Sequence, residues 1–400
     1  MSLKVKHLNG DTTFLLTFTP AIAPANSAQR FPGDFIILVD PWLKGPSSVW
    51  TPKFQISHHT RPSAITSLKD LPEPDLILIS QDKPDHCHRE TLCSLPPSSQ
   101  IPILATAAAA KKIRSWNHFE NPDIVSALRE YRDKNESGTI YRRPLPPYSS
   151  SSAPGEITVS YMPQRMDMTR LHNALGITYR PPSTVTKAVT GQIVNLPLSP
   201  PVSPPIHRPM TADSNTRPQS LTRNRSIASI ASRPDTPTSI GYFHATPAEH
   251  RERTLSVLYS PHGVSTATVA PYTSFLAREN ALPLTALFHS INTEQNPWFM
   301  GGRVAAGYPG GLDLLRKVGA HYWISAHDED KDNRGFATVM INSGRYKVEE
   351  VQRLVEQEFL GSCDGLSAGR KRDSAHSVKE MGRVPIVVDI DVGEEMRIDG

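Results

Sequence analysis

The stretch Asp82-Lys83-Pro84-Asp85-His86-Cys87-His88 sets two carboxylates and two imidazoles within seven residues. Carboxylate and neutral imidazole are suitable ligands for zinc, iron or manganese. An ion held by such groups lowers the pKa of a bound water and makes it a nucleophile near neutral pH. The same residues also have plain structural uses. Asp85 can cap the segment 87–95 as a helix N-cap carboxylate. His88 can support a ligand or simply hold the turn. Asp82 can accept a bond from Lys83 or from turn amides, or face a pocket.

Position gives the segment its weight. Leu76-Ile77-Leu78-Ile79, directly before it, is an apolar run with the length of a buried strand. Further strands are expected at 12–18, 34–39, 101–106, 156–161, 174–179, 255–259, 284–289, 321–326 and 385–391. Helices are expected over 89–95, 107–116, 122–134, 312–318 and 348–359. Strands and helices in both halves predict two packed sheets with helices outside. From 181 to 247 the chain is rich in Pro, Ser, Thr and Arg and poor in aromatics. Such a segment cannot bury enough apolar area to offset its ordering entropy, so it reads as a disordered insertion. Strand-like sequence stands on both sides of it. The insertion therefore interrupts a hairpin, and 1–180 with 248–400 form one domain. Residues 365–382 also read as loose.

The chain has 400 residues, 37 of them proline, and a formal net charge of +4. No basic stripe with interleaved aromatics is present, which argues against nucleic acid as a partner. Cys87, Cys93 and Cys363 form neither a disulfide framework nor a CxxC metal site, as suits a reducing compartment. The N-terminus runs straight into strand-like sequence without a signal-peptide core. No apolar run is long enough to span a bilayer. The expectation is a soluble cytoplasmic protein.

The order of these signals resembles the metallo-β-lactamase superfamily, an αββα sandwich. Residues 5–16 look like the family's first hairpin. Ile37-Leu38-Val39-Asp40-Pro41-Trp42-Leu43 is similar to its strand ending in an aspartate. Leu78-Ile79-Ser80 stands where the family has a strand followed by T-H-x-H-x-D-H. Here that motif reads Gln81-Asp82-Lys83-Pro84-Asp85-His86, and the region of the family's next histidine reads Pro163-Gln164-Arg165. The resemblance therefore implies that the first metal of the family is missing. A second position survives. His262 stands in place of a bridging aspartate, and His327 ends a late strand. The resemblance implies one zinc, iron or manganese ion held by Asp85, His86, His262 and His327. Asp40 and His88 would support these ligands, and Asp82 or Asp85 would act on the substrate. Trp298 and Arg303, in a loop rich in glycine and aromatics, would cover a small-molecule substrate, unless that loop is ordinary packing. His289 reads as a core histidine.

The implied activity is metal-dependent hydrolysis of an ester, lactone, thioester, amide or phosphodiester. The alternative is a catalytically inactive relative, with no metal, that binds a small molecule or a protein. In the insertion, Arg223-Asn224-Arg225-Ser226, Ser203-Pro204 and Asp235-Thr236-Pro237 resemble kinase sites. They suggest a phospho-dependent protein partner for 181–247.

Overall fold

A computed structural model describes residues 1–24, 30–150, 152–183, 253–360 and 383–400, with the backbone of Val185–Lys187 and Ile193–Asn195. Residues 1–198 and 252–400 make one unit, and 199–251 a second that lies outside the described residues. The expected disorder of 181–247, the loose stretch 365–382 and Cys363 fall wholly or mostly outside them too.

Fourteen strands build the sandwich. The first sheet contains β1 (Ser2–His7), β2 (Phe14–Thr19), β3 (Phe35–Val39), β4 (Leu76–Ile79), β5 (Ile103–Ala105) and β6 (Val125–Ala127). The second contains β7 (Tyr141–Leu145), β8 (Gly155–Pro163), β9 (Asn173–Arg180), β10 (Leu255–Tyr259), β11 (Leu284–His289), β12 (Ala320–Ser325) and β13 (Ile386–Val388). The last strand, β14 (Glu395–Asp399), returns to the first sheet beside β1. The spatial orders are β14-β1-β2-β3-β4-β5-β6 and β13-β12-β11-β10-β9-β8-β7.

Period-two alternation explains the layers. On β3, Phe35, Ile37 and Val39 join the core between the sheets, while Ile36 and Leu38 face the outer helices. On β4, Leu76 and Leu78 point inward, and Ile77 and Ile79 outward. A strand covered on both faces reads as a continuous apolar run, as these do. Helices α1 (Arg89–Leu92) and α2 (Ala107–Ser115) lie with the first sheet, packing Leu92, Ala109, Ala110 and Ile113 on its outer face. Helices α3 (Thr266–Arg278), α4 (Gly307–Val318) and α5 (Val348–Leu360) cover the second through Phe275, Leu314 and Val355.

Strands β3 to β6 run parallel, as do β10 to β13. Their C-terminal ends release Asp40, Ser80, Ser260, Ser290 and Ala326 into loops. The two sheets meet there, because the Tyr259 hydroxyl donates to Asp40 Oδ2 at 2.9 Å. Strands β9 and β10, which flank the insertion, pair antiparallel from Leu175↔Tyr259 to Tyr179↔Leu255.

Two expectations need correction. The helix expected over 122–134 is instead a turn at Pro122–Ile124 followed by β6. Leu128 enters the core between the sheets while Tyr131 joins the outer core under α3. One helix could not send those two side chains to different layers. The helix expected at 312–318 begins at Gly307. Helix α3 and strands β7 and β14 went unread, because their apolar residues lie among Pro, Thr or charged neighbours. Among the described residues, no helix is long and apolar enough to cross a membrane.

Candidate metal centre

Asp40 follows β3 with a left-handed backbone, φ 43°, uncommon outside glycine. Its buried carboxylate accepts from the Ser80 amide at 2.7 Å, the Ser80 hydroxyl at 2.5 Å and the Tyr259 hydroxyl. His86 Nδ1 stands 2.7 Å from the same carboxylate. A carboxylate ringed by donors accepts only, so Nδ1 carries a proton, and in the neutral ring His86 Nε2 presents its lone pair. His262, three residues beyond β10, donates from Nδ1 to the Val304 carbonyl at 3.0 Å. Its Nε2 is therefore also a lone pair in the neutral ring. The two Nε2 atoms face each other 3.0 Å apart.

Two buried lone pairs at that distance repel unless a cation lies between them. Burial, with His327 and His86 beside it, holds the His262 imidazole well below its usual range, so His262 does not supply the proton. A metal fits the arrangement. Nitrogens about 2.1 Å from one ion stand roughly 3.0–3.4 Å apart, for angles from right-angled to tetrahedral.

His327 completes the group. It leaves β12 in the left-handed region, φ 69°, with its amide donating to the Asp11 carbonyl at 3.0 Å. Its ring lies 4.2 Å from that of His262 and 5.6 Å from that of His86, centre to centre. Ring nitrogens of His86, His262 and His327 all lie within 4.8 Å of one another. Nδ1 of His327 is buried and has no hydrogen-bond partner among the described residues. Its Nε2 is 3.5 Å from Asp85 Oδ2, which is 3.9 Å from His86 Nε2.

A second donor group overlaps the first: Asp11, Asp85 and His327 also converge within 4.8 Å. Asp11 is fully buried, and Lys331 Nζ donates to both of its oxygens at 2.8 and 2.9 Å. The same ammonium stands 3.4 Å from His327 Nε2. Burial alone would raise the carboxyls. For Asp11 it is overridden by Lys331 and His327, and for Asp85 by His86, His327 and Lys331, so both sit below their usual range. Neither Asp11 nor Lys331 stood out in the sequence. Asp11 lies in a turn shaped by Asn9, whose Oδ1 accepts from the Asp11 and Thr13 amides. Lys331 ends Asp328-Glu329-Asp330, which reads as a solvated loop. Instead Asp328 accepts from the Ile291 and Asn292 amides at 2.8 and 2.9 Å, and Glu329 holds His59 at 2.5 Å. These anchors bring Lys331 inward.

The remaining predicted residues lie apart. Asp82 is not among the converging donors, and its carbonyl accepts from Lys112 Nζ at 2.6 Å. His88, rather than Asp85, caps α1, with Nδ1 3.3 Å from the Thr91 amide. Lys83 forms no ion pair among the described residues, and its carbonyl accepts from the His86 and Cys87 amides. Gln81, at the motif's first histidine position, reaches the Leu171 carbonyl. His289 is a core residue with only Nδ1 satisfied, by the Ser290 carbonyl at 2.7 Å. Arg303 begins the short strand Arg303–Ala306 that touches His262, but its side chain and Trp298 are exposed.

No family model and no curated protein matches the chain. Solved structures resemble it at low identity. An isothiocyanate hydrolase from Delia radicum gut bacteria is 11% identical, with a TM-score of 0.45, over 99% of this chain and 100% of that one. The metallo hydrolase Igni18 from Ignicoccus hospitalis KIN4/I is 11% identical, with a TM-score of 0.38, over 100% of both chains. CmlA, a diiron β-hydroxylase from Streptomyces venezuelae, is 13% identical, with a TM-score of 0.44, over 99% of this chain and 54% of that one. Likenesses this distant transfer no activity, metal or ligand set. The two seven-stranded sheets between helices make the αββα sandwich that the sequence resemblance implies.

Proposed function

We propose that the protein is a metal-dependent hydrolase with one ion held by His86, His262, His327 and Asp85. The observation that carries this reading is the pair of Nε2 lone pairs facing each other at 3.0 Å, each oriented by a bond on the opposite nitrogen. Three imidazoles and a carboxylate suit zinc and equally iron or manganese. When bound, such an ion polarises a scissile carbonyl or phosphoryl group and acidifies a water.

The chain's own residues supply the rest. Asp40 fixes the tautomer of His86, and the Val304 carbonyl fixes that of His262. Asp85, ionised and about one-fifth exposed, is the ligand that meets solvent and would accept a hydrogen bond that orients an attacking water. Asp82 has no comparable placement. The substrate is a small molecule with an ester, lactone, thioester, amide or phosphodiester bond.

A binding module without catalysis is the second reading. It draws on Lys331, whose ammonium already neutralises Asp11 within the second donor group. A hydrolysis panel separates the two. Turnover that stops on chelation, returns with added zinc or manganese, and is lost in His262→Ala supports the hydrolase. Turnover indifferent to chelation, or none on any ester, lactone, thioester, amide or phosphodiester, contradicts it.

A further inference from the structure

The end of the sandwich that carries the imidazoles also carries most of its exposed apolar side chains. Trp50, Met166, Met168, Trp298, Phe299 and Phe336 are between 63% and 101% exposed. Single exposed apolar residues are ordinary, but a contiguous set marks an interaction surface. These are contiguous through the backbone. Trp298 and Phe299 tip the hairpin of Thr293–Gln295 and Arg303–Ala306, which contacts His262. Gly301, in the same tip, lies against Thr169, next to Met168. Asn342–Gly344 pairs with Thr293–Gln295 and sets the preceding turn, with exposed Val339, beside that tip. The Phe336 amide then bonds to the Lys53 carbonyl at 3.0 Å, next to Phe54, whose ring lies 4.5 Å from Trp50.

Cations punctuate this rim. Arg165 and Arg170 bracket Met166 and Met168, Arg303 follows Trp298 and Phe299, and Lys53 stands between Trp50 and Phe54. All four are exposed, and none forms an ion pair among the described residues. Of the acids on the same segments, Asp167 bonds Thr169 and His172, Asp332 pairs with Arg334 and Asp330 with Arg345, which leaves Glu294, on the strand beside Arg303, as the carboxylate of the rim hairpin without an ion pair among the described residues. Tryptophan, phenylalanine and methionine interleaved with free arginine and lysine complement the boundary of an anionic bilayer, where apolar groups enter the acyl region and cations meet headgroups.

We propose that this rim docks on an anionic lipid surface and that the substrate is an amphiphile reached from it. The docking rests on the rim alone, and the substrate class rests on the hydrolase reading. The test is pelleting of the full chain with phosphatidylglycerol vesicles and with phosphatidylcholine vesicles. The chain should pellet with the anionic vesicles, and raising salt from about 0.1 M to about 0.5 M should release it. Trp298→Ala/Phe299→Ala and Trp50→Ala/Phe336→Ala should each lower partitioning roughly tenfold with unchanged far-UV circular dichroism. Arg165→Glu/Arg170→Glu should do the same. Equal partitioning of all variants, or none by the parent chain, overturns the docking. So does a dimer in sedimentation that the Trp298→Ala/Phe299→Ala change dissolves, because the rim would then be an interface between copies. A long-chain ester in the vesicles, set against a short soluble one, separates the two claims. Pelleting without hydrolysis of either ester removes the hydrolase and leaves the docking. Hydrolysis of the short ester without pelleting removes the docking and leaves the hydrolase.

Discussion

At the residue scale, two of the three imidazoles of the centre, those of His86 and His262, are set by the nitrogen that faces away from it. Asp40 takes the Nδ1 proton of His86, and Val304 takes that of His262. In the proposed centre, Lys331 would limit occupancy to one ion. Its ammonium fills the Asp11 side of the second donor group and repels a second dication there. Lys331→Ala should raise bound metal per chain from one toward two, measured by plasma mass spectrometry after dialysis, and an unchanged stoichiometry would count against this role. His86, His262 and His327, which the structure brings together, stood out through the family resemblance, each placed after an apolar strand. Asp11 and Lys331 did not, since their meaning comes from a contact across 320 positions of chain. No local pattern encodes such a contact.

At the element scale, strands with two covered faces announced themselves as apolar runs, and most of both sheets could be read that way. Helix α4 could not. Gly307-Tyr308-Pro309-Gly310-Gly311 has poor intrinsic helix propensity. Packing overrides propensity here. A Cβ on Gly311 would stand 2.2 Å from the indole of Trp323, so the helix can reach the sheet only with glycine at that position. Gly307 opens the helix at φ 58°, where a Cβ would also meet Thr293. Gly311→Ala should therefore destabilise the fold by about 1–3 kcal/mol despite its better propensity, seen as a lower midpoint in urea. A raised midpoint would show that the contact is slack. Strand β6 was misread for a related reason, because its three residues take their structure from β5 rather than from their own pattern.

At the scale of the whole molecule, buried histidines tie stability to pH. Burial lowers the His289 imidazole to about 4, from an ordinary 6.5. The unfolded chain takes up that proton more readily than the folded one, so stability present above pH 6.5 is lost as pH falls toward 4. That difference corresponds to about 3 kcal/mol. His7 and His262, also lowered by burial, act in the same direction. His289→Asn keeps a donor for the Ser290 carbonyl and removes the titration. Chemical denaturation across this window should show a shallower loss in the variant, and an identical slope would exclude His289 as a source.

In the proposed centre, His86 and His262 face each other because an ion belongs between them. The most direct measurement is the metal content of the protein purified without added metal, compared with His86→Ala and His262→Ala. The parent chain should carry about one equivalent of zinc, iron or manganese, and both variants should lose it with folding retained. A metal-free parent chain that also fails to take up zinc or manganese would contradict this reading and leave the facing imidazoles to a shared proton.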